Sequence, residues 1–101
     1  MIYGAPDKAS YIFIQRIGNI CILRWSISQE SNAYWQPDAV IPESIRPNVT
    51  LYAPSCVTNN NGYVLNLCAY CYVNKNGIMG FQVAAATTGA VNRGSCSWFI
   101  K

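Results

Sequence analysis

Two prolines set five residues apart constrain this chain more than any other feature. Pro42 and Pro47 stand in the stretch Ile41-Pro42-Glu43-Ser44-Ile45-Arg46-Pro47-Asn48-Val49-Thr50-Leu51-Tyr52-Ala53-Pro54. Each fixes φ and lacks an N–H, so neither fits a helix interior or a central strand. The residues before them, Ile41 and Arg46, are pushed toward extended geometry. Val49-Thr50-Leu51-Tyr52 then suits a strand, closed by Ala53-Pro54. The stretch reads as a rigid corner delivering the chain into a strand, with hairpin-rich halves of one β domain on either side.

Taken in order, residues 1–9 read as an irregular lead-in and residues 10–101 as a single domain. Tyr11 to Ile17 is a strand, Gly18-Asn19 a two-residue hairpin turn, and Ile20 to Ser28 the partner strand. Cys21, Leu23, Trp25 and Ile27 share one face of it, with Arg24, Ser26 and Ser28 opposite, so the alternation marks the core side. Gln29 to Asp38 is polar and irregular, with a short strand around Tyr34-Trp35. Asn59-Asn60-Asn61-Gly62 is a dense turn signal. From Tyr63 to Asn74 runs the longest strand candidate, apolar at every odd position. Asn76-Gly77 turns the chain into Ile78 to Val83, with Met79, Phe81 and Val83 on one face. Ala84 to Arg93 reads as strand edge plus loop, and Gly94 to Ile100 as the last strand, its Cys96, Trp98 and Ile100 facing one way. No stretch has the spacing of an amphipathic helix. Short strands joined by hairpins predict an all-β, small antiparallel sandwich or jelly-roll-like domain.

A chain of 101 residues has room for one modest core. Only 11% of it is charged, against a typical ~25%, which favours self-association over a free monomer. The net charge of +3 comes from seven scattered cations. They form no concentrated positive footprint, which argues against nucleic-acid binding. No apolar run is long enough to span a bilayer. Met1 to Lys8 lack the basic start and apolar stretch of a secretion signal, so export by the usual route is not expected.

The five cysteines, Cys21, Cys56, Cys68, Cys71 and Cys96, cannot all pair within one chain. Cys68-Ala69-Tyr70-Cys71 has the spacing of a metal or redox motif. Inside a strand, however, residues three apart face opposite sides, and no histidine completes a mixed site. Free thiols in a reducing compartment, and no metal or other cofactor, are expected.

Without histidine, a Ser-His-Asp or Cys-His catalytic set is excluded. Among the four carboxylates, Asp7, Glu30, Asp38 and Glu43, only Glu30 and Asp38 share a loop. They are the one pair that could sit at the roughly 5–10 Å separation of a glycosidase, but ordinary solvated loop carboxylates are much the better account of them. No phosphate-cradling glycine loop is present. The expectation is a protein that is not an enzyme.

Binding residues are easier to name. Tyr34 and Trp35 stand in a polar segment with Gln36 and Asp38, a set suited to stacking and hydrogen bonding. The competing reading folds Trp35 back to plug one end of the sandwich, or pairs the segment with a sister subunit. Asn60 in the triple-Asn turn and Tyr63 beside it complete the candidate ligand site, although turns take Asn for backbone reasons alone. Trp25 and Trp98 fall on core-facing registers, and Tyr52 and Tyr63 at strand ends are placed to cap the core. Asn66, Tyr70, Tyr72 and Asn74 share the mixed face of the long strand candidate. They are the candidate oligomer interface, since Tyr is enriched in subunit contacts.

The Ile41–Pro54 corner, together with Gly18-Asn19-Ile20, Asn61-Gly62-Tyr63-Val64, Asn76-Gly77-Ile78 and Gly94-Ser95-Cys96-Ser97-Trp98, resembles the C-terminal head domains of bacteriophage tail-fibre and baseplate receptor-binding proteins. Ile41 stands where that family usually has Leu, Ser44 where it has Gly, and Ile45 where it has an aromatic. The resemblance spans roughly residues 11–100. It implies a homotrimeric head that attaches to a saccharide of the bacterial cell surface without catalysis. It also implies contacts with other tail or baseplate proteins, assembly in the host cytoplasm, residence in the virion, and no membrane insertion. The alternative is a structural decoration or spike module that trimerises without a receptor. A small polysaccharide-degrading enzyme is a third, weaker option.

Overall fold

A computed structural model describes residues 10–59 and 61–100, together with the backbone of residues 2–3. It is all-β, with no α-helix among the described residues. The strands are β1 (Ile2–Tyr3), β2 (Tyr11–Ile17), β3 (Ile20–Ser28), β4 (Tyr34–Trp35), β5 (Leu51–Thr58), β6 (Ala69–Val73), β7 (Met79–Val83) and β8 (Val91–Phe99). The predicted irregular lead-in therefore contains a two-residue strand, β1, paired with β2. Residue 1 and residues 4–9 lie outside the described residues, as does Asn60.

All strands pair antiparallel in one sheet of order β1-β2-β3-β8-β5-β6-β7-β4. The sheet folds over at β5. Leu51–Ser55 pair with β6, whereas Cys56–Thr58 pair with β8. The β2-β3-β8 half thus packs on the β6-β7-β4 half, and the alternating apolar positions meet between them. Ile12, Leu23, Trp25 and Ile27 from one side lie against Cys71, Val73, Met79 and Phe81 from the other. The rings of Trp25 and Phe81 approach to 5.7 Å across that seam. Each fully buried aliphatic or aromatic side chain contributes roughly 1.5–3 kcal/mol.

Inside this apolar layer runs a polar chain that the sequence pattern did not reveal. Trp25 Nε1 donates to Asn92 Oδ1 at 2.9 Å, and Asn92 Nδ2 donates to Gln29 Oε1 at 2.8 Å. Gln29 Nε2 in turn donates to the carbonyls of Phe81, Ala33 and Asn32. Asn92 and Gln29 are fully buried, and their mutual bonds remove the desolvation cost.

Three strand boundaries differ from expectation. β5 does not stop at Ala53-Pro54 but starts at Leu51 and runs through Pro54 to Thr58. Val57 O accepts from Leu65 N, and Asn59 N donates to Tyr63 O. Odd residues of β5 therefore aim their backbone groups at the β6 side. The N–H that Pro54 lacks would point the other way, two residues before pairing with β8 begins. Tyr63 to Cys68 is not strand: Leu65 and Leu67 do face inward, against Val57 and Val83, but Leu67 N bonds Leu65 O in a tight turn. β8 begins at Val91, three residues earlier than Gly94, because Asn92 is held inside by the polar chain.

The proline corner carries a 3-10 turn, Glu43–Ile45, between Pro42 and an extended Arg46 (φ −73°, ψ 149°). It docks on the β6–β7 turn, where Ile41 N donates to Gly77 O and Arg46 Nε donates to Ile41 O at 2.7 Å. Two turns share one construction. Asn59 Oδ1 accepts from the N–H groups of Asn61 and Tyr63, and Asn74 Oδ1 from those of Asn76 and Ile78. Gly62 (φ 85°) and Gly77 (φ 84°) close them in left-handed geometry.

Candidate functional site

The outer face of the β5-β6-β7-β4 half follows from parity. Cys71 and Val73 take the inside of β6, so Tyr70 and Tyr72 point out; Phe81 takes the inside of β7, so Gln82 points out. On β5, Tyr52 is 71% exposed. On the two-residue β4, the Tyr34–Trp35 pair splits across the two faces. Tyr34 is out, paired opposite Gln82, while Trp35 turns in and stacks on Phe81 at 5.9 Å.

Four tyrosine rings therefore lie side by side. Tyr52 is 6.0 Å from Tyr70 and 6.2 Å from Tyr72, and the Tyr34 and Tyr72 rings are nearly parallel at 6.5 Å. Two of the hydroxyls are joined: Tyr34 and Tyr72 Oη are 2.7 Å apart, and Tyr34 donates to Gln36 Oε1 at 2.9 Å. Tyr70 donates to Gln82 Oε1 at 2.8 Å. Burial, and then the bond to Tyr72, push the Tyr34 phenol up to about 12. Gln36 and Gln82 accept through oxygen, so these bonds do not use the amide nitrogens, which can donate to a ligand beside the rings. A hollow of about 160 Å³ adjoins Tyr70 and Gln82, lined also by Cys68, Ala69, Val83 and Ala84. It is smaller than the ~300 Å³ of an ordinary small-molecule pocket, so it takes one substituent and not a whole ring.

The expected site residues are thus redistributed. Tyr34 and Gln36 from the ligand set meet Tyr70 and Tyr72 from the interface set. Trp35 is a packing residue. Asp38 is exposed in the loop after β4, and Tyr63 is exposed beyond Thr58, at the far end of β5. Asn60 lies outside the described residues. Asn66 is exposed but off the strand, and the Asn74 side chain is engaged in its own turn, so the supposed row on one strand reduces to Tyr70 and Tyr72. Tyr52, expected to cap the core, and Gln82 join the face instead. Gln82 is the only polar side chain in the Met79–Val83 run, and that was the signal available for it. Of the glycosidase-like pair, Glu30 Oε2 accepts the Gly89 N–H at 2.8 Å.

Cys71 and Cys96 are held above the ordinary thiol range by burial, Cys96 at about 11, and Cys21 is raised for the same reason. No protein-family model and no curated protein matches the chain in sequence.

Proposed function

We propose that this chain is the head domain of a phage tail or baseplate receptor-binding protein, and that it holds a host-surface saccharide on the tyrosine–glutamine face without chemical turnover. The observation that carries the reading is the alignment of Tyr34, Tyr52, Tyr70 and Tyr72 with Gln36 and Gln82 on one open sheet face. Flat rings take the C–H faces of a sugar, and outward amides take its hydroxyls. An open face with no deep pocket gives weak binding per site, made useful by several copies acting together. The resemblance described above supports the tail assignment, and residence in the virion follows from it.

A glycan array probed with the intact protein tests this, with Tyr52→Ala as the variant because that side chain is largely exposed. Expected is recognition of a restricted set of bacterial glycans, at least tenfold weaker in the variant. Absence of any bound glycan would leave the structural module.

That second reading has its own observation. Ile17, Ile20 and Phe99 are 56%, 39% and 76% exposed and stand opposite one another on β2, β3 and β8. Such a strip suits burial against another copy. Sedimentation velocity of Phe99→Lys separates the two roles: dissociation of a trimer with glycan binding retained assigns assembly to the strip and recognition to the tyrosines.

A further inference from the structure

The Cys68-x-x-Cys71 spacing does not bring its own thiols together, since Cys71 is buried in the core and Cys68 is exposed. The sheet register brings a different pair to one place. β5 and β6 run in step from Leu51 opposite Val73 to Ser55 opposite Ala69. The ladder ends there, and by Thr58 the partner has slipped to Val64, but one further step in the same register would set Cys56 opposite Cys68. Cys68 keeps the path of β6, because its carbonyl accepts from Ala84 N at 2.8 Å, one step beyond the pairing of Ala69 with Val83. Odd residues of β5 bond toward β6, whereas Cys56 belongs to the even set and pairs with Arg93 of β8. In that register Cys56 and Cys68 would face each other at a non-hydrogen-bonded position, as Tyr52–Tyr72 and Pro54–Tyr70 do before them. In such positions Cα atoms lie about 4.5 Å apart and side chains approach closely. A disulfide spans Cα separations of about 4.4–6.8 Å. Both thiols are exposed.

We propose that Cys56 and Cys68 form an oxidisable cross-strand pair that closes to a disulfide on meeting a small-molecule disulfide such as oxidised glutathione. One protein thiolate attacks the glutathione disulfide, forming a mixed disulfide and releasing one glutathione thiolate. The second protein thiolate attacks the protein sulfur of that mixed disulfide, forming the Cys56–Cys68 bond and releasing the second glutathione. Two protein thiols are oxidised, one glutathione disulfide is reduced to two thiols, and the protein's two protons end on them. The closed bond staples the irregular Tyr63–Cys68 segment to β5, at the point where that strand leaves β6 for β8. Cys68 itself lines the hollow beside Tyr70 and Gln82. Cys21, Cys71 and Cys96 stay reduced inside the sandwich.

The test incubates the full folded chain with oxidised glutathione and reads intact mass and a peptide map. Expected are a loss of about 2 Da, from two hydrogens, and a cross-linked peptide joining Cys56 to Cys68. After unfolding without reductant, an alkylating reagent should then reach Cys21, Cys71 and Cys96 only. The Cys56→Ser variant should stop at one glutathione attached to Cys68. The proposal is overturned if the wild-type chain ends with glutathione on each of the two cysteines. It is equally overturned if both remain open to alkylation, or if the bond joins two chains.

Discussion

Tyr72 lies across the backbone of Gly80, so closely that a Cβ built on that glycine would meet ring carbon Cε1 at 2.1 Å and Cζ at 2.6 Å. The missing side chain on β7 is what lets the ring span from β6 to β4, where its hydroxyl meets Tyr34. Gly80→Ala must therefore lift the ring and open the hydroxyl pair. Expected is a tenfold or greater loss of glycan affinity, with a stability cost of about 1–3 kcal/mol for the overpacking. Array binding and urea unfolding measure the two effects separately. Tyr72→Phe, which keeps the ring and removes the hydroxyl, should cost less on both.

The chain Trp25–Asn92–Gln29 makes a sharper stability prediction. Asn92→Leu removes the acceptor of Trp25 Nε1 and the donor to Gln29 Oε1 in one step. Two buried polar groups are left bare, each worth about 1–3 kcal/mol. The expected loss is about 3 kcal/mol in urea unfolding, a large share of the stability of a domain this small. Ser55→Ala should do the reverse. Ser55 Oγ is buried with no hydrogen-bond partner among the described residues, so its removal should be neutral or stabilising by up to about 1 kcal/mol.

Much of the fold was legible because a half-buried strand writes its register in alternation. Cys21, Leu23, Trp25 and Ile27 declared the core face of β3, and Met79, Phe81 and Val83 that of β7. What failed depends on partners rather than on local pattern. Pro54 reads as a strand end until it is known that its missing N–H faces an unpaired edge. Leu65 and Leu67 alternate like strand residues because they face a satellite cluster, although no full ladder holds them. Asn92 and Gln29 read as loop residues because their burial depends on each other. The candidate face was half visible for a similar reason. Tyr70 and Tyr72 share a strand, but β4 reaches them only by pairing with β7, which lies far along the chain.

Gly62 and Gly77 close turns of the same construction, at φ 85° and 84°, and so make a matched pair. A Cβ at Gly62 meets nothing within 4 Å, whereas at Gly77 it would meet Ile41 O and Arg46 Nε at 2.6 Å. Gly62→Ala should cost only the left-handed backbone strain, about 1–2 kcal/mol. Gly77→Ala should cost that plus the displacement of the proline corner, and the excess reads the worth of the docking. Thermal unfolding of both variants gives the difference directly. Equal losses would mean that the corner is free to shift.

Alkaline pH should weaken the fold in two steps. Burial, with a smaller contribution from Cys21, raises Cys96 from 9.0 to about 11, while burial and the Tyr72 bond raise Tyr34 from 10.0 to about 12. In both cases the folded state keeps its proton after the unfolded chain has released it. Stability is therefore fully present below the unfolded value and declines as pH rises toward the folded one. For Cys96 that window runs from 9.0 to about 11, and for Tyr34 from 10.0 to about 12. Cys71 and Cys21 shift in the same direction and steepen the first step. Cys96→Ala should flatten the decline in the lower window, and Tyr34→Phe in the upper one, each by up to one proton in the slope of stability against pH. Urea midpoints across the range, with ultraviolet titration of tyrosinate alongside, check both. Tyrosinate forming in the native protein at the ordinary tyrosine value would break the link between the hydroxyl pair and the upper step.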